Sequence, residues 1–284
     1  MTAGHEISAT FGIIAGGGVL PFSVAEALRA RGIAPFIFAV RGFCDPVRVT
    51  QFPHHWVALG QVGRLTRLIR SEGCRDIVFL GGMVRPALSD VRLDWGTVRA
   101  IPAIAAALRG GDDHLLSSVS RIFERYGFRV VGIGDLAPEL LMPEGSLTRR
   151  VPDADALADI AKGRDLLRAL GPFDVGQAVV VIDGHVVAVE DIEGTDALLA
   201  RVARLREEKR IRARTGRGVL VKTPKTSQDL RFDLPTLGPR TIDGIVAAGL
   251  AGIGTVAGHS LVAEADVMTA KADQAGLFVT GLPL

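Results

Sequence analysis

The chain has 284 residues, 48% of them hydrophobic and 23% charged, with a formal net charge of +2 at pH 7. These figures exclude a disordered chain and a protein whose whole surface tracks nucleic acid, so no nucleic-acid partner is expected; the 34 glycines follow no Gly-X-Y period, which excludes collagen. Cys44 and Cys74 form no metal-ligand spacing and no disulfide scaffold, which points to a reducing, cytoplasmic compartment.

In chain order, Phe11 to Ala15 reads as a buried strand, followed by Gly16-Gly17-Gly18 and a helix, Phe22 to Arg31, opened by Pro21. Pro35 to Val40 and Asp76 to Leu80 read as strands, and Arg64 to Ser71 as a helix. Helices over 97–108 and 113–126 precede a strand over 128–133. Strand and helix in alternation predict a parallel sheet covered by helices, a Rossmann-like domain over 1–137. Residues 138–150, with Pro138, Pro143 and Gly145, read as a linker. The segment 151–284 then reads as a mixed α/β catalytic domain. It has a helix over 154–170 and strands over 178–182 and 185–189 joined by Asp183-Gly184, a pair that favours a two-residue hairpin turn. A helix over 196–206 and a strand over 219–222 follow, then helix, strand, helix, strand.

The mean hydropathy of +0.31 raises a membrane question. The longest stretch without formal charge, 244–263, is long enough to span a bilayer, but it holds five glycines and His259. It reads better as a helix ending at Gly249 and a buried strand around 252–256. Met1 to Thr10 is polar, so no signal peptide is expected.

Three regions carry chemistry. Gly17 and Gly18 sit between a strand and a helix, where amides without side chains can approach an anion. The third glycine of a dinucleotide fingerprint is replaced by Pro21, and no acidic residue ends the second strand, which counts against an NAD-dependent oxidoreductase. Gly82 and Met83 follow a second strand and are expected on the same carboxyl edge. The segment 219–235 is the richest. Asp229 and Asp233 lie four apart and can share Mg²⁺, while Lys222, Lys225 and Arg231, with Gln228 beside them, can neutralise phosphate oxygens. A divalent ion with cations beside it is what phosphoryl transfer requires. A second acidic cluster, 190–196, contributes Glu193 as a further candidate metal ligand, and Gly194 and Thr195 as a helix N-terminus able to grip phosphate. Arg201 to Arg217 carries eight basic residues, readable as a solvated surface or as a contact to an anionic leaflet or polyphosphate.

Matching pieces run through the chain: IAGGGVLP at 13–20 plus Pro21, LGQVGRL at 59–65, GGDDHLL at 110–116, LTRRVP at 147–152, DVGQAVVVIDG at 174–184, AVEDIEGTDALL at 188–199, VLVKTPKTSQDLRFDLPTLGPRT at 219–241 and AGLAGIGTVAG at 248–258. On these the sequence resembles the LpxI-type UDP-2,3-diacylglucosamine pyrophosphatases of lipid A biosynthesis. The resemblance implies hydrolysis of a UDP-linked diacylated glucosamine to UMP and 2,3-diacylglucosamine 1-phosphate (lipid X), dependence on a divalent metal, usually Mg²⁺, a homodimer, and work at the cytoplasmic face of the inner membrane. It also implies that Asp229, in QDLRFDLP, is indispensable. Met83-Val84-Arg85 departs from the lysine-containing turn of many relatives. A nucleotide-dependent oxidoreductase and a non-catalytic lipid or nucleotide binding module are the alternatives.

Overall fold

The computed structural model describes residues 9–82, 94, 112–225 and 234–283. The helix expected over 97–108 lies outside them. The chain divides into two compact units, Met1–Pro138 and Glu139–Leu284.

In the first unit the elements are β1 (Thr10–Ala15), α1 (Leu20–Ala30), β2 (Ala34–Val40), β3 (His54–Val57), α2 (Val62–Ser71), β4 (Asp76–Leu80), α3 (Asp112–Arg125), β5 (Arg129–Val130) and α4 (Ile133–Leu136). The five strands are all parallel, in the order β3-β2-β1-β4-β5. This is the doubly wound, Rossmann-like arrangement that the alternation predicts. Phe11, Ile13, Ile14 and Ala15 are all buried, as an uninterrupted apolar run should be in a strand covered on both faces. The edge strand β3 was not expected, because His54-His55-Trp56-Val57 buries only its last residue. The strand expected over 128–133 is shorter, because the buried Ile133 already begins α4. Asp76, at 2% exposure, accepts from Arg129 Nε at 2.6 Å and Nη2 at 2.8 Å, and so ties β4 to β5 at their paired residues.

The second unit contains β6 (Gly145–Ser146), α5 (Ala154–Leu170), β7 (Ala178–Ile182), β8 (His185–Val189), α6 (Gly194–Glu207), β9 (Val219–Lys222), β10 (Thr236–Leu237), α7 (Pro239–Ala247), β11 (Gly252–Val256), β12 (Leu261–Val262), α8 (Ala265–Gln274) and β13 (Phe278–Leu282). Six strands run in the order β6-β13-β11-β9-β7-β8. β13, β11 and β9 are parallel; β6, β7 and β8 pair antiparallel. β10 and β12 form a separate parallel pair. The Asp183-Gly184 turn joins β7 to β8 with φ of +49° and +75°, the left-handed pair that a two-residue hairpin demands.

Strand alternation sorts the core into two layers. Ala178, Val180, Ile182 and Leu220 pack with α6, α7 and α8 on one face. Val179, Val181, Val219 and Val221 pack with α5 on the other. That helix lies close because Gly163 faces Val221: an added Cβ would sit 2.6 Å from Val221 Cγ2. From residue 139 onward the stretch read as a linker is built into this second unit. Met142 is 1% exposed in its core, β6 pairs with β13, and the Arg149 guanidinium meets Asp273 at 3.1 Å. Apolar anchors at Leu141 and Met142, too few to show a period, hold it there. The uncharged stretch 244–263 falls within α7, β11 and β12, and among the described residues no helix is long and apolar enough to cross a membrane.

Candidate active site

The glycine loops of the first unit do meet on the carboxyl edge of the sheet, after the adjacent ends of β1 and β4. Their amides are largely consumed there. Gly17 N donates to Gly82 O at 2.9 Å, Gly82 N donates to Gly17 O at 3.1 Å, and Gly16 N donates to Leu80 O at 2.8 Å. Gly81 has φ of +91°, and an added Cβ would collide with the Gly17 carbonyl oxygen. The glycines thus serve a close approach of two loops, and the Gly17 and Gly82 amides are not on offer to an anion. Gly18, with φ of +92°, has open space where a Cβ would stand. Met83 lies outside the described residues.

The second unit gathers its polar groups at the carboxyl end of β9. The apolar run Val219-Leu220-Val221 places this strand between β7 and β11, and Lys222 ends it on the face of Leu220. Lys222 is only 6% exposed. A lysine ammonium so buried requires hydrogen-bond partners. Its Nζ donates to Thr195 Oγ1 at 3.0 Å and to the Thr236 carbonyl at 3.2 Å. Thr195, in the first turn of α6, donates its hydroxyl proton to Glu190 Oε1 at 2.6 Å. Glu190, 5% exposed and just past the end of β8, accepts from the Gln177 amide through Oε2 at 2.8 Å. A buried carboxylate and a buried ammonium are therefore joined through one hydroxyl. On the neighbouring strand β11, the hydroxyl of Thr255 donates to the Lys222 carbonyl at 2.7 Å and lies 2.6 Å from that of Ser260, both residues being buried.

Lys225 lies beyond the strand and pairs with Asp174 at 2.6 Å. Gly194 opens α6 with φ of +79°. Glu193 meets Arg201 at 2.5 Å, and Arg201 also donates to the Val189 carbonyl at 2.7 Å. The candidate metal ligand is thus already matched by a cation. Among the described residues, no three His, Cys, Asp or Glu side chains cluster so as to hold a metal ion. Gln228, Asp229, Arg231 and Asp233 lie outside the described residues. Of the sequence-derived candidates, the fold brings Lys222 and Thr195 into direct contact. Glu190 and Thr236 join them, and neither was singled out for this. Glu190 looked like one acid among four, and Thr236 contributes only a main-chain carbonyl.

The basic run 201–217 mostly leaves this site. The 14 residues of α6 span about 21 Å, so the loop after it sits far from Thr195. Arg206 donates to the carbonyls of Ala213 at 2.6 Å and Ala248 at 2.9 Å, and burial holds its pKa below the ordinary arginine value. Arg217 bridges Asp155 at 2.9 Å and Asp183 at 2.7 Å. These arginines fasten the loop.

Residues 10–140 match the model of the LpxI N-terminal domain, and residues 143–280 that of the LpxI C-terminal domain. The chain belongs to the LpxI family. A family relative, UDP-2,3-diacylglucosamine pyrophosphatase LpxI of Caulobacter vibrioides, is 42% identical over 271 residues, covering 95% of this chain and 96% of that protein. Among solved structures, the biotin carboxylase domain of Hydrogenobacter thermophilus 2-oxoglutarate carboxylase aligns over 72% of this chain and 42% of that one, at a TM-score of 0.26 and 12% identity. That likeness carries no argument about this family member.

Proposed function

We infer that this protein hydrolyses the pyrophosphate bond of UDP-2,3-diacylglucosamine, giving UMP and 2,3-diacylglucosamine 1-phosphate in lipid A biosynthesis. The observation that carries this reading is the 42% identity, over nearly the whole of both chains, to a relative named for that activity. The geometry is compatible: Lys222 stands at the carboxyl end of β9, which runs parallel to β11, and ligands of open α/β sheets bind at the carboxyl ends of parallel strands. Its charge would stabilise the developing negative charge on the phosphoryl oxygens, with Lys225 and Arg231 following it in the chain. The main-chain amide of Thr195, at the start of α6, would orient the phosphate, since the Thr195 hydroxyl proton is committed to Glu190 and the Gly194 amide to the Asp191 carbonyl.

Mg²⁺ belongs to this proposal on the strength of Asp229 and Asp233; Glu193, matched by Arg201, is a poor ligand. When bound, the ion would acidify a water and neutralise phosphate charge. The decisive test is Asp229→Ala in the purified protein with UDP-2,3-diacylglucosamine. Loss of UMP release is expected, and near-normal turnover would remove Asp229 from the site. Dialysis against EDTA should abolish turnover and added Mg²⁺ restore it; activity that survives exhaustive chelation would refute the metal.

A diacylated substrate also supports peripheral contact with the cytoplasmic face of the inner membrane. Phe173, 74% exposed, precedes β7 and Ile192, 97% exposed, follows β8, whose adjoining ends pair beside the end of β9, and both offer apolar side chains for it. The homodimer is proposed on the family resemblance, and sedimentation equilibrium tests it.

A further inference from the structure

We propose that Glu190 is a positioning residue for Lys222, acting through the hydroxyl of Thr195. This rests on the reading of Lys222 as a phosphate-facing cation. A lysine has a flexible four-carbon stem and three rotatable donors, so its ammonium needs to be held. Thr195 has one proton and two lone pairs. The ionised carboxylate of Glu190 can only accept, so at 2.6 Å it takes that proton and turns a lone pair toward the Lys222 ammonium, 3.0 Å away. Glu190 is itself fixed. Its other oxygen accepts from the Gln177 amide, its backbone packs against Gly176 where no Cβ would fit, and the residue is 5% exposed. The carboxylate cannot swing to another partner without leaving the Gln177 amide unpaired. Two loops of the unit, before β7 and after β8, thereby set the direction of a cation on β9.

The test is a double-mutant cycle in the full-length protein, reading kcat/KM for UDP-2,3-diacylglucosamine and the melting temperature together. Glu190→Gln and Thr195→Val are each expected to lower kcat/KM by about 10- to 100-fold, the loss of a hydrogen bond to a charged group. The double variant should be no worse than the poorer single, because both remove the same link. Thr195→Ser, which restores the hydroxyl, should recover most of what Thr195→Val loses. If the single losses multiply in the double variant, or if Thr195→Ser is as poor as Thr195→Val, the positioning role is wrong. It is also wrong if Glu190→Gln stays within about twofold of the parent while Lys222→Met falls steeply. A Lys222→Met variant with full activity would instead overturn the phosphate-facing reading of Lys222 itself, and this inference with it. Should Glu190→Gln fail to purify as folded protein, Glu190→Asp, whose shorter carboxylate cannot span to Thr195 and Gln177 together, takes its place in the cycle.

Discussion

Single residues of this protein are used at both ends of the polarity range. Gly81 couples a left-handed φ of +91° to a carbonyl oxygen standing where a Cβ would go. Gly81→Ala should therefore cost about 1–3 kcal/mol, the scale of backbone strain with overpacking, and a urea titration would register the shift. A midpoint equal to the parent's would mean that the loop relaxes freely. The two thiols show burial acting on ionisation. Desolvation, with carboxylates nearby adding to it, pushes Cys44 up to about 11 and Cys74 up to about 12. In the unfolded chain both ionise near the ordinary value of 9.0, so below that pH neither affects stability. As pH rises past it, the unfolded thiols ionise first and stability falls toward pH 11 and 12. Replacing both cysteines by alanine should flatten that alkaline decline; an unchanged decline would assign it to other groups. The same protonation makes both thiols sluggish toward iodoacetamide at pH 8 in native protein.

Between elements, the hairpin of β7 and β8 shows what the chain states openly and what it hides. Asp183-Gly184 between β-branched runs is legible as a turn without any structure. Its anchor is not. Asp159, in the middle of α5 and 4% exposed, accepts from the Asp183 amide at 3.0 Å and from the Gly184 amide at 2.6 Å. A helix carboxylate thus caps a turn 24 residues away, and no local pattern marks it. Asp159→Ala leaves two turn amides without this acceptor and should lower stability by about 1–3 kcal/mol. Equal unfolding midpoints for parent and variant, measured by circular dichroism, would show that water replaces the carboxylate without cost. The same division holds for the site. Lys222 is visible as the charged end of an apolar strand, but its link to Thr195 and Glu190 spans 27 and 32 residues, which is a fact of strand order.

At the scale of the molecule, two compact units with separate sheets predict separable folding. A fragment beginning at residue 139 should unfold cooperatively on its own. One beginning at 151 loses β6 and the buried Met142, and burying such a side chain is worth about 2–5 kcal/mol, so it should melt earlier or not fold. Equal stability of the two fragments would return 139–150 to the status of a connector. Charge is also divided. The near-zero net charge conceals a basic loop at one end of α6 and, near the other, the hydrogen-bonded set of Lys222, Thr195 and Glu190.

The amino-acid sequence by itself determined the elements whose signal is local. The buried parallel strands announce themselves by apolar runs, α5 by its spacing, the β7–β8 turn by Asp-Gly, and the family by motifs spread along the chain. Only the tertiary structure decided what depends on contacts between distant segments. It turned two glycine runs from open anion sites into a mutual main-chain bridge, and moved 139–150 into the second unit. It placed most of the basic run away from the carboxyl edge, and separated Glu190 from the acids around it. The reason is the same in each case. A hydrogen bond is fixed by which strands lie side by side, and strand order is a property of the packed sheet that no window of sequence contains.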